Sequence, residues 1–182
     1  NGLLIDRRAG RINTSASAVL VNKLDSIQVE GATVTVYPVR DHRFVLILTG
    51  DALGPDVSET DPQIEMAEPL SAKALLPESE LTASAVNDFI LNARKELSGE
   101  DRANMITLRG FSKLPDLPDM SRVYMLKPAA IASYPMYRGL ASLIGMEILP
   151  TGEHFSDELD TLAEHWAQHD YFFLHYKAAD AA

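Results

Sequence analysis

The sequence contains no cysteine, no long apolar run and few basic residues. Without cysteine, the chain can form neither disulfides nor thiolate metal sites. Its longest apolar runs, such as FVLIL and YFFL, are far shorter than the roughly 20 residues that a membrane-spanning helix needs. No basic segment followed by an apolar one opens the chain, as it would in a secretory signal. These absences favour a cytoplasmic protein without a membrane partner.

Acidic residues outnumber basic ones. The chain has 26 Asp and Glu against 16 Lys and Arg, which gives a formal net charge of −10. Proteins that bind nucleic acid usually present a basic surface to the phosphate backbone, so we expect no nucleic-acid partner. Hydrophobic residues make up 46% of the sequence, which indicates a globular fold and not a disordered chain. Local basic clusters could still bind small anions.

The first 120 residues show an α+β pattern. Apolar residues at helical spacing predict helices over residues 13–27 and 79–98. Alternating apolar residues predict a hairpin with strands at 32–39 and 43–49, and a further short strand at 103–108. These elements alone predict a domain with an antiparallel sheet.

Residues 50–78 lie between the hairpin and the second helix and are rich in acids, Pro and Gly. This composition predicts a long surface loop, which is usually either functional or flexible. Within it, Asp61 precedes Pro62 in the stretch SETDPQ. An Asp-Pro pair is typical of a turn, and we predict a turn here.

The remaining residues alternate between strand and helix. Strands are predicted at 127–133, 147–150 and 171–176, with helices at 136–145 and 155–168 between them. The last helix carries one apolar stripe formed by Phe155, Leu159, Leu162 and Trp166. Alternating strands and helices predict a parallel sheet. The overall class is therefore α/β, with a domain boundary at about residue 120 in a proline-rich turn.

The stretch IDRRAGRI places Arg7, Arg8 and Arg11 within five positions beside Gly10. A guanidinium group offers a planar fork of donors that suits carboxylate and phosphate groups. A glycine beside it would allow an anion to approach the backbone closely. Either an anion clamp or a solvated turn, with its arginines paired to acids, would account for this spacing.

Two further stretches carry cations near predicted strand ends. LRGFSK contains Arg109 and Lys113, and YPMYRG places Arg138 at a strand-to-helix junction, where α/β sheets often bind ligands. A surface turn is the alternative for the first stretch. At the far end, Asp180 follows the last predicted strand and could be a metal ligand or a helix N-cap. The sequence contains no P-loop, no G-x-G-x-x-G and no G-x-S-x-G motif.

Five stretches, in their order and rough spacing, resemble one known family. They are IDRRAGRI, DVSETDP, ANMITLRGFSKLPDLP, AAIASYPMYRGLASLIGM and YFFLHYKAADAA. Together they resemble the archaeal-type branch of the 2,3-bisphosphoglycerate-independent phosphoglycerate mutases, which belong to the alkaline-phosphatase-like metalloenzymes. The resemblance covers nearly the whole chain but only the middle of the family protein. The chain has no initiator Met and ends directly after an apolar run, so we expect it to be a piece of a longer protein.

The resemblance implies an architecture and an activity. Residues 1–120 would be an inserted substrate-binding α+β domain, and residues 121–182 a segment of the metal-binding α/β core. The full-length parent would interconvert 3-phosphoglycerate and 2-phosphoglycerate through a phosphoserine, as a step of glycolysis and gluconeogenesis. It would use two divalent metal ions, Mn or Mg, and no 2,3-bisphosphoglycerate. The nucleophilic serine is expected upstream of Asn1, so this chain holds no catalytic nucleophile and is expected to be inactive alone.

The resemblance also implies roles for individual residues. The substrate-binding candidates are Arg7, Arg8, Arg11, Arg109, Lys113 and Arg138, with Arg7 the foremost. The metal-binding candidate is Asp180. Many family members have His directly after the TDP triplet, whereas this chain has Gln63, which puts the role of that loop in doubt. The alternatives are another phosphomutase or phosphatase of the same superfamily, or an anion-binding module without catalysis.

Overall fold

The computed structural model describes residues 2–180 and divides them into two compact units, the first ending at Lys113 and the second beginning at Leu114. The first unit contains α1 (Thr14–Leu24), β1 (Thr33–Pro38), β2 (Phe44–Thr49) and α2 (Glu80–Glu96). The second contains α3 (Met120–Tyr124), β3 (Pro128–Ala132), α4 (Pro135–Leu143), β4 (Glu147–Leu149), α5 (Phe155–His165) and β5 (Tyr171–His175). The predicted α/β class, with one antiparallel and one parallel sheet, is confirmed.

The first unit is built around one apolar core. Strands β1 and β2 pair antiparallel, with Val34 opposite Leu48 and Val36 opposite Leu46. The core is formed by buried side chains of α1, β1, α2 and the segments beside them, among them Val21, Leu24, Val36, Val86, Phe89, Ile106 and Leu108. Each such side chain stabilises the folded unit by about 1.5–3 kcal/mol when it is buried and not exposed to water. The core therefore fixes the segment that ends at Leu108.

The prediction of a strand over residues 103–108 is wrong. These residues form no helix or strand in the structure. Leu108 forms hydrogen bonds with Thr60 where pairing with a neighbouring strand was expected. The Thr60 N–H donates to the carbonyl of Leu108 (2.9 Å), and the Thr60 hydroxyl oxygen accepts from the N–H of Leu108 (2.7 Å). A side-chain oxygen that accepts a backbone N–H takes the place of the next strand partner, so pairing does not propagate.

Residues 50–76 form no regular element, as expected of a loop, but they are anchored to α2. Val57 and Ala72 belong to the buried core. The Asn87 side chain accepts from the N–H of Ala72 (2.9 Å) and donates to its carbonyl (3.0 Å). The Gly54 N–H donates to the Thr82 hydroxyl (2.9 Å). These contacts anchor the loop to the helix.

The second unit contains a parallel sheet in the order β4–β3–β5. The central strand β3 is buried along its whole length, as parallel strands usually are. Asp119 caps the short helix α3, which the sequence patterns do not predict. The Asp119 carboxylate also lies against Gly145, where a Cβ atom would be only 2.2 Å from Oδ2. Gly145 has a φ of 75°, a conformation that favours glycine.

The apolar stripe predicted for α5 is only partly buried. Leu162 packs against the sheet, whereas Phe155, Leu159 and Trp166 remain between 44% and 67% exposed. Helix α5 instead buries Glu158 completely, and neither oxygen of its carboxylate has a hydrogen-bond partner among the described residues. Burial raises the pKa of Glu158, and the nearby His175 opposes the shift. No helix in residues 2–180 is long and apolar enough to cross a membrane.

Candidate functional site

The stretch DRRAGR folds into a tight turn around its own aspartate. The Asp6 carboxylate accepts the N–H groups of Arg8 (2.7 Å) and Gly10 (2.8 Å), and these bonds lower the pKa of Asp6. Ala9, Gly10 and Arg11 all have positive φ, between 51° and 62°. Such a run is strained for Ala9 and Arg11, and the bonds to Asp6 hold it. The turn fixes the backbone directly after Arg7.

Arg7 reaches across to the acidic loop and binds Asp61. Its Nε donates to Oδ1 (2.8 Å) and its Nη2 to Oδ2 (2.5 Å), which is a bidentate pair. Its Nη1 also donates to the carbonyl of Gln63 (3.0 Å). The hydrogen bond that Arg7 donates to Asp61 raises the pKa of Arg7. The guanidinium group of Arg7 is therefore held firmly by the loop.

Arg109 faces the same carboxylate more loosely. Its Nη1 lies 3.6 Å from Oδ2 of Asp61, and its Nε lies 3.6 Å from Oε2 of Glu59. Both distances exceed those of ordinary hydrogen bonds. The Arg109 side chain is half exposed. The Asp61 cluster, defined as Arg7, Glu59, Asp61 and Arg109, thus contains one fixed and one loosely held guanidinium group.

Asp61 is the residue that sequence reasoning missed. Its side chain is only 5% exposed, and it binds Arg7, the N–H of Gln63 (2.9 Å) and, more distantly, Arg109. The hydrogen bond from Arg7 lowers the pKa of Asp61, although burial opposes this shift. The Asp-Pro pattern predicts a turn and does not indicate burial. One signal in the sequence could have indicated this pairing. Asp61 is an acid in the loop that lies between the two separate arginine stretches.

Three other predicted substrate-binding residues of the first unit lie outside the Asp61 cluster. Arg8 and Arg11 lie on the turn that follows Arg7, outside this cluster. Lys113 is exposed at the end of the first unit, and Arg138 belongs to α4 of the second unit. The roles that the resemblance implies for these four residues stay predictions.

The predicted metal ligand, Asp180, is the last residue that the structure describes. Asp180 ends a short helical turn, Lys177–Asp180, and its side chain lies outside the described part of the chain. Among the side chains that the structure describes, no group of three from His, Asp or Glu is placed to hold a metal ion. The described residues therefore do not supply a metal site by themselves.

Comparison with known proteins places the chain in a family. A family model described as 2,3-bisphosphoglycerate-independent phosphoglycerate mutase matches residues 1–102, which include Arg7 and Asp61. A probable enzyme of that name from Thermotoga maritima is 44% identical over 181 residues. Another from Thermus thermophilus is 45% identical over 185 residues. These alignments take in 98% and 99% of this chain but only 45% and 46% of the relatives.

Two solved structures share the fold. The cofactor-independent phosphoglycerate mutase from Thermoplasma acidophilum superposes with a TM-score of 0.67 at 22% identity, covering 96% of this chain and 50% of that protein. A protein from Pyrococcus horikoshii gives a TM-score of 0.71 at 16% identity, covering 97% and 45%. The chain therefore spans about half the length of the curated relatives it matches. By the family model that matches more than half of its residues, the chain belongs to the 2,3-bisphosphoglycerate-independent phosphoglycerate mutase family.

Proposed function

We propose that the full-length parent of this chain interconverts 3-phosphoglycerate and 2-phosphoglycerate through a phosphoserine, without 2,3-bisphosphoglycerate. The observation that carries the proposal is the convergence of Arg7 and Arg109 on one buried carboxylate in a chain of this family. In this proposal the first unit belongs to the inserted substrate-binding domain of residues 1–120. Residues 121–182 belong to the α/β core.

The proposed reaction requires a binding site that holds the glycerate while its phosphoryl group leaves and returns. Phosphoryl transfer from one hydroxyl to serine and back to the other hydroxyl requires the glycerate to stay bound in between. Arginine suits this task because its fork can hold a carboxylate or phosphate group by two parallel hydrogen bonds. In our proposal Arg109 makes this grip, and Arg7, which has five N–H groups and uses three on Asp61 and Gln63, supplies its two remaining donors.

Other parts of the reaction are assigned outside the Asp61 cluster. The nucleophilic serine would come from a part of the parent outside this chain. The two divalent metal ions, Mn or Mg, would supply charge neutralisation and would take most of their ligands from elsewhere in the parent, with Asp180 as the candidate from this chain. Arg8, Arg11, Lys113 and Arg138 remain proposed secondary contacts to the substrate, and a cytoplasmic location remains part of the proposal.

The test is an assay of the full-length protein with 3-phosphoglycerate and Mn²⁺. We expect turnover in the wild type, and we expect Arg109→Ala to lower kcat/KM about 10- to 100-fold, the effect of losing a charged hydrogen bond. The matched control is Arg94→Ala, which removes an exposed arginine from α2. Absence of turnover in the wild type would refute the activity. Equal kinetics in the two variants would refute the role of Arg109.

A further inference from the structure

We infer that Asp61 is a positioning residue for the two arginines, a role that rests on the proposed function of the parent. The Asp61 carboxylate is nearly buried and accepts hydrogen bonds from Arg7 Nε, Arg7 Nη2 and the N–H of Gln63. It therefore has little capacity left to bind a ligand itself. Its contribution is to fix where the guanidinium groups lie.

The two arginines differ in how tightly Asp61 holds them. Arg7 makes a bidentate pair at 2.8 and 2.5 Å, whereas Arg109 stands at 3.6 Å from the same carboxylate. An entering anion can therefore recruit Arg109 without breaking a short hydrogen bond. Arg7 would keep its place, because displacing it would leave the buried Asp61 carboxylate without its main partner.

The charges of the Asp61 cluster cancel before a ligand arrives. Two guanidinium groups face two carboxylates, those of Asp61 and Glu59. Glu65 adds a weaker attraction to Arg7. The Glu59 side chain is 39% exposed and lies 3.6 Å from Arg109, so it is the partner that an anion would replace. Asp61 remains and limits the positive charge left for the ligand.

The backbone holds Asp61 opposite Arg109. The preceding residue, Thr60, is fully buried and exchanges hydrogen bonds with Leu108, the residue before Arg109. These bonds place Asp61 and Arg109 side by side although they lie far apart in the sequence. The position of Asp61 therefore follows from the fold and not from attraction between exposed charges.

Asp61→Asn separates positioning from charge. The substitution keeps the size of the side chain but removes its negative charge and one acceptor for Arg7. The site then becomes more positive while its arginines are held less firmly. We expect inorganic phosphate to bind the full-length variant as tightly as the wild type or several-fold tighter, while kcat for 3-phosphoglycerate falls at least tenfold.

The experiment measures phosphate affinity by calorimetry, turnover, and the NMR signals of arginine Nε–H groups in the full-length protein. In the wild type we expect a dispersed, slowly exchanging signal for Arg7 and a rapidly exchanging one for Arg109. In Asp61→Asn the Arg7 signal should lose its protection. The matched control, Asp88→Asn on the exposed side of α2, should change none of the three measurements.

The outcomes separate this inference from the proposed function. If the wild type has no mutase turnover, the proposed function fails, yet the NMR signals and phosphate affinity still report on Asp61. Unchanged kcat or an unchanged Arg7 signal in Asp61→Asn would overturn the positioning role. A parallel loss of phosphate binding, turnover and thermal stability would reduce Asp61 to a structural residue.

If Asp61→Asn does not fold, a second variant tests the positioning role of Asp61. Glu59→Gln removes the exposed partner of Arg109 and leaves the buried pair intact. We expect it to bind phosphate several-fold more tightly and to keep the protected Arg7 signal. Weaker phosphate binding in Glu59→Gln, or an Arg7 signal that exchanges rapidly in the wild type, would overturn the inference.

Discussion

Arg7 and Arg109 are the same type of residue, but their surroundings give them different properties. Arg7 makes three hydrogen bonds to the loop, whereas Arg109 stands beyond hydrogen-bond distance from its two acidic neighbours. An arginine bound in this way stabilises the fold, and an arginine held loosely is available to a ligand. The family resemblance favours Arg7 as the main ligand contact, whereas the geometry gives Arg109 the greater freedom to take that role.

The first prediction concerns the stability of the first unit. Arg7→Ala should lower the Tm by several degrees at neutral pH, because it leaves the buried Asp61 carboxylate without its bidentate partner. The pair of Arg7 and Asp61 stabilises the fold fully above pH 3.8, which is the ordinary pKa of an Asp side chain. This stabilisation is lost as the pH falls through the lowered pKa that Asp61 has in the folded chain. The difference between wild type and variant should therefore shrink in strong acid.

Thermal melts monitored by circular dichroism between about pH 2 and pH 8 check this prediction. Arg109→Ala is the internal comparison, and we expect it to change the Tm by much less, because its side chain is half exposed and its two ion pairs are long. A variant Arg7→Ala as stable as the wild type at pH 7 would show that the pair does not support the fold.

The second prediction concerns Glu158, whose pKa is shifted upwards, opposite to the shift of Asp61. Its pKa is raised above the ordinary 4.5 by burial, so ionisation destabilises the folded chain. This penalty is absent below pH 4.5, grows as the pH rises towards the folded-state pKa, and stays constant above it. Glu158→Gln should therefore raise the Tm by several degrees at pH 7.5 and have little effect near pH 4.

Glu164→Gln is the control, because Glu164 is exposed on the same helix. Melting curves of both variants at the two pH values give the comparison. A stabilisation by Glu158→Gln that is larger at pH 4 than at pH 7.5 would contradict the assignment of a penalty to the ionised carboxylate.

At the scale of elements, the long acidic loop behaves as a built part of the first unit. Side chains of α2 provide the hydrogen bonds that a neighbouring strand would otherwise provide, with Asn87 binding both backbone groups of Ala72. Gly54 allows the loop to approach the start of α2, since a Cβ atom there would lie 2.7 Å from the carbonyl oxygen of Glu78. The loop can therefore present Asp61 in a defined place.

The third prediction tests this anchoring. Asn87→Ala removes two hydrogen bonds from partly buried backbone groups, at a cost of about 1–3 kcal/mol. We expect limited proteolysis to cut residues 62–76 faster in the variant while the helical circular dichroism signal is kept. Asn92→Ala serves as control, because the Asn92 side chain on α2 accepts a hydrogen bond from the exposed Lys95 of the same helix. Equal cleavage rates in both variants would show that Asn87 does not hold the loop.

Periodicity predicts the elements that owe their stability to a buried face. Helix α2 and the strands β1 and β2 follow from it, because their apolar residues repeat at the spacing of the element. Helix α3 does not, since its five residues depend on the Asp119 cap and on the space at Gly145. The pairing of Arg7 with Asp61 spans 54 residues, and no local pattern encodes such a contact.

At the scale of the whole molecule, two units with separate cores follow each other along the chain. The main core of the first unit consists entirely of residues between Leu20 and Phe111. The second unit has two smaller clusters on the two faces of its parallel sheet. The chain carries these units within about half the length of its relatives.

The fourth prediction is that residues 1–113 fold when produced alone. The core, the anchored loop and the Asp61 cluster all lie within that range. We expect a cooperative thermal transition and a protected NMR signal for Arg7 Nε–H in this shortened chain. A shortened chain without dispersed NMR signals would show that the first unit depends on the second.

The bonds between Thr60 and Leu108 also bear on the order of folding. They join residues 48 positions apart, so a large loop must close before they can form. Closing such a loop costs conformational entropy, whereas α1, α2 and the β1–β2 hairpin need only local contacts. On refolding from urea, the helical signal should therefore return before the Asp61 carboxylate meets Arg7 and Arg109.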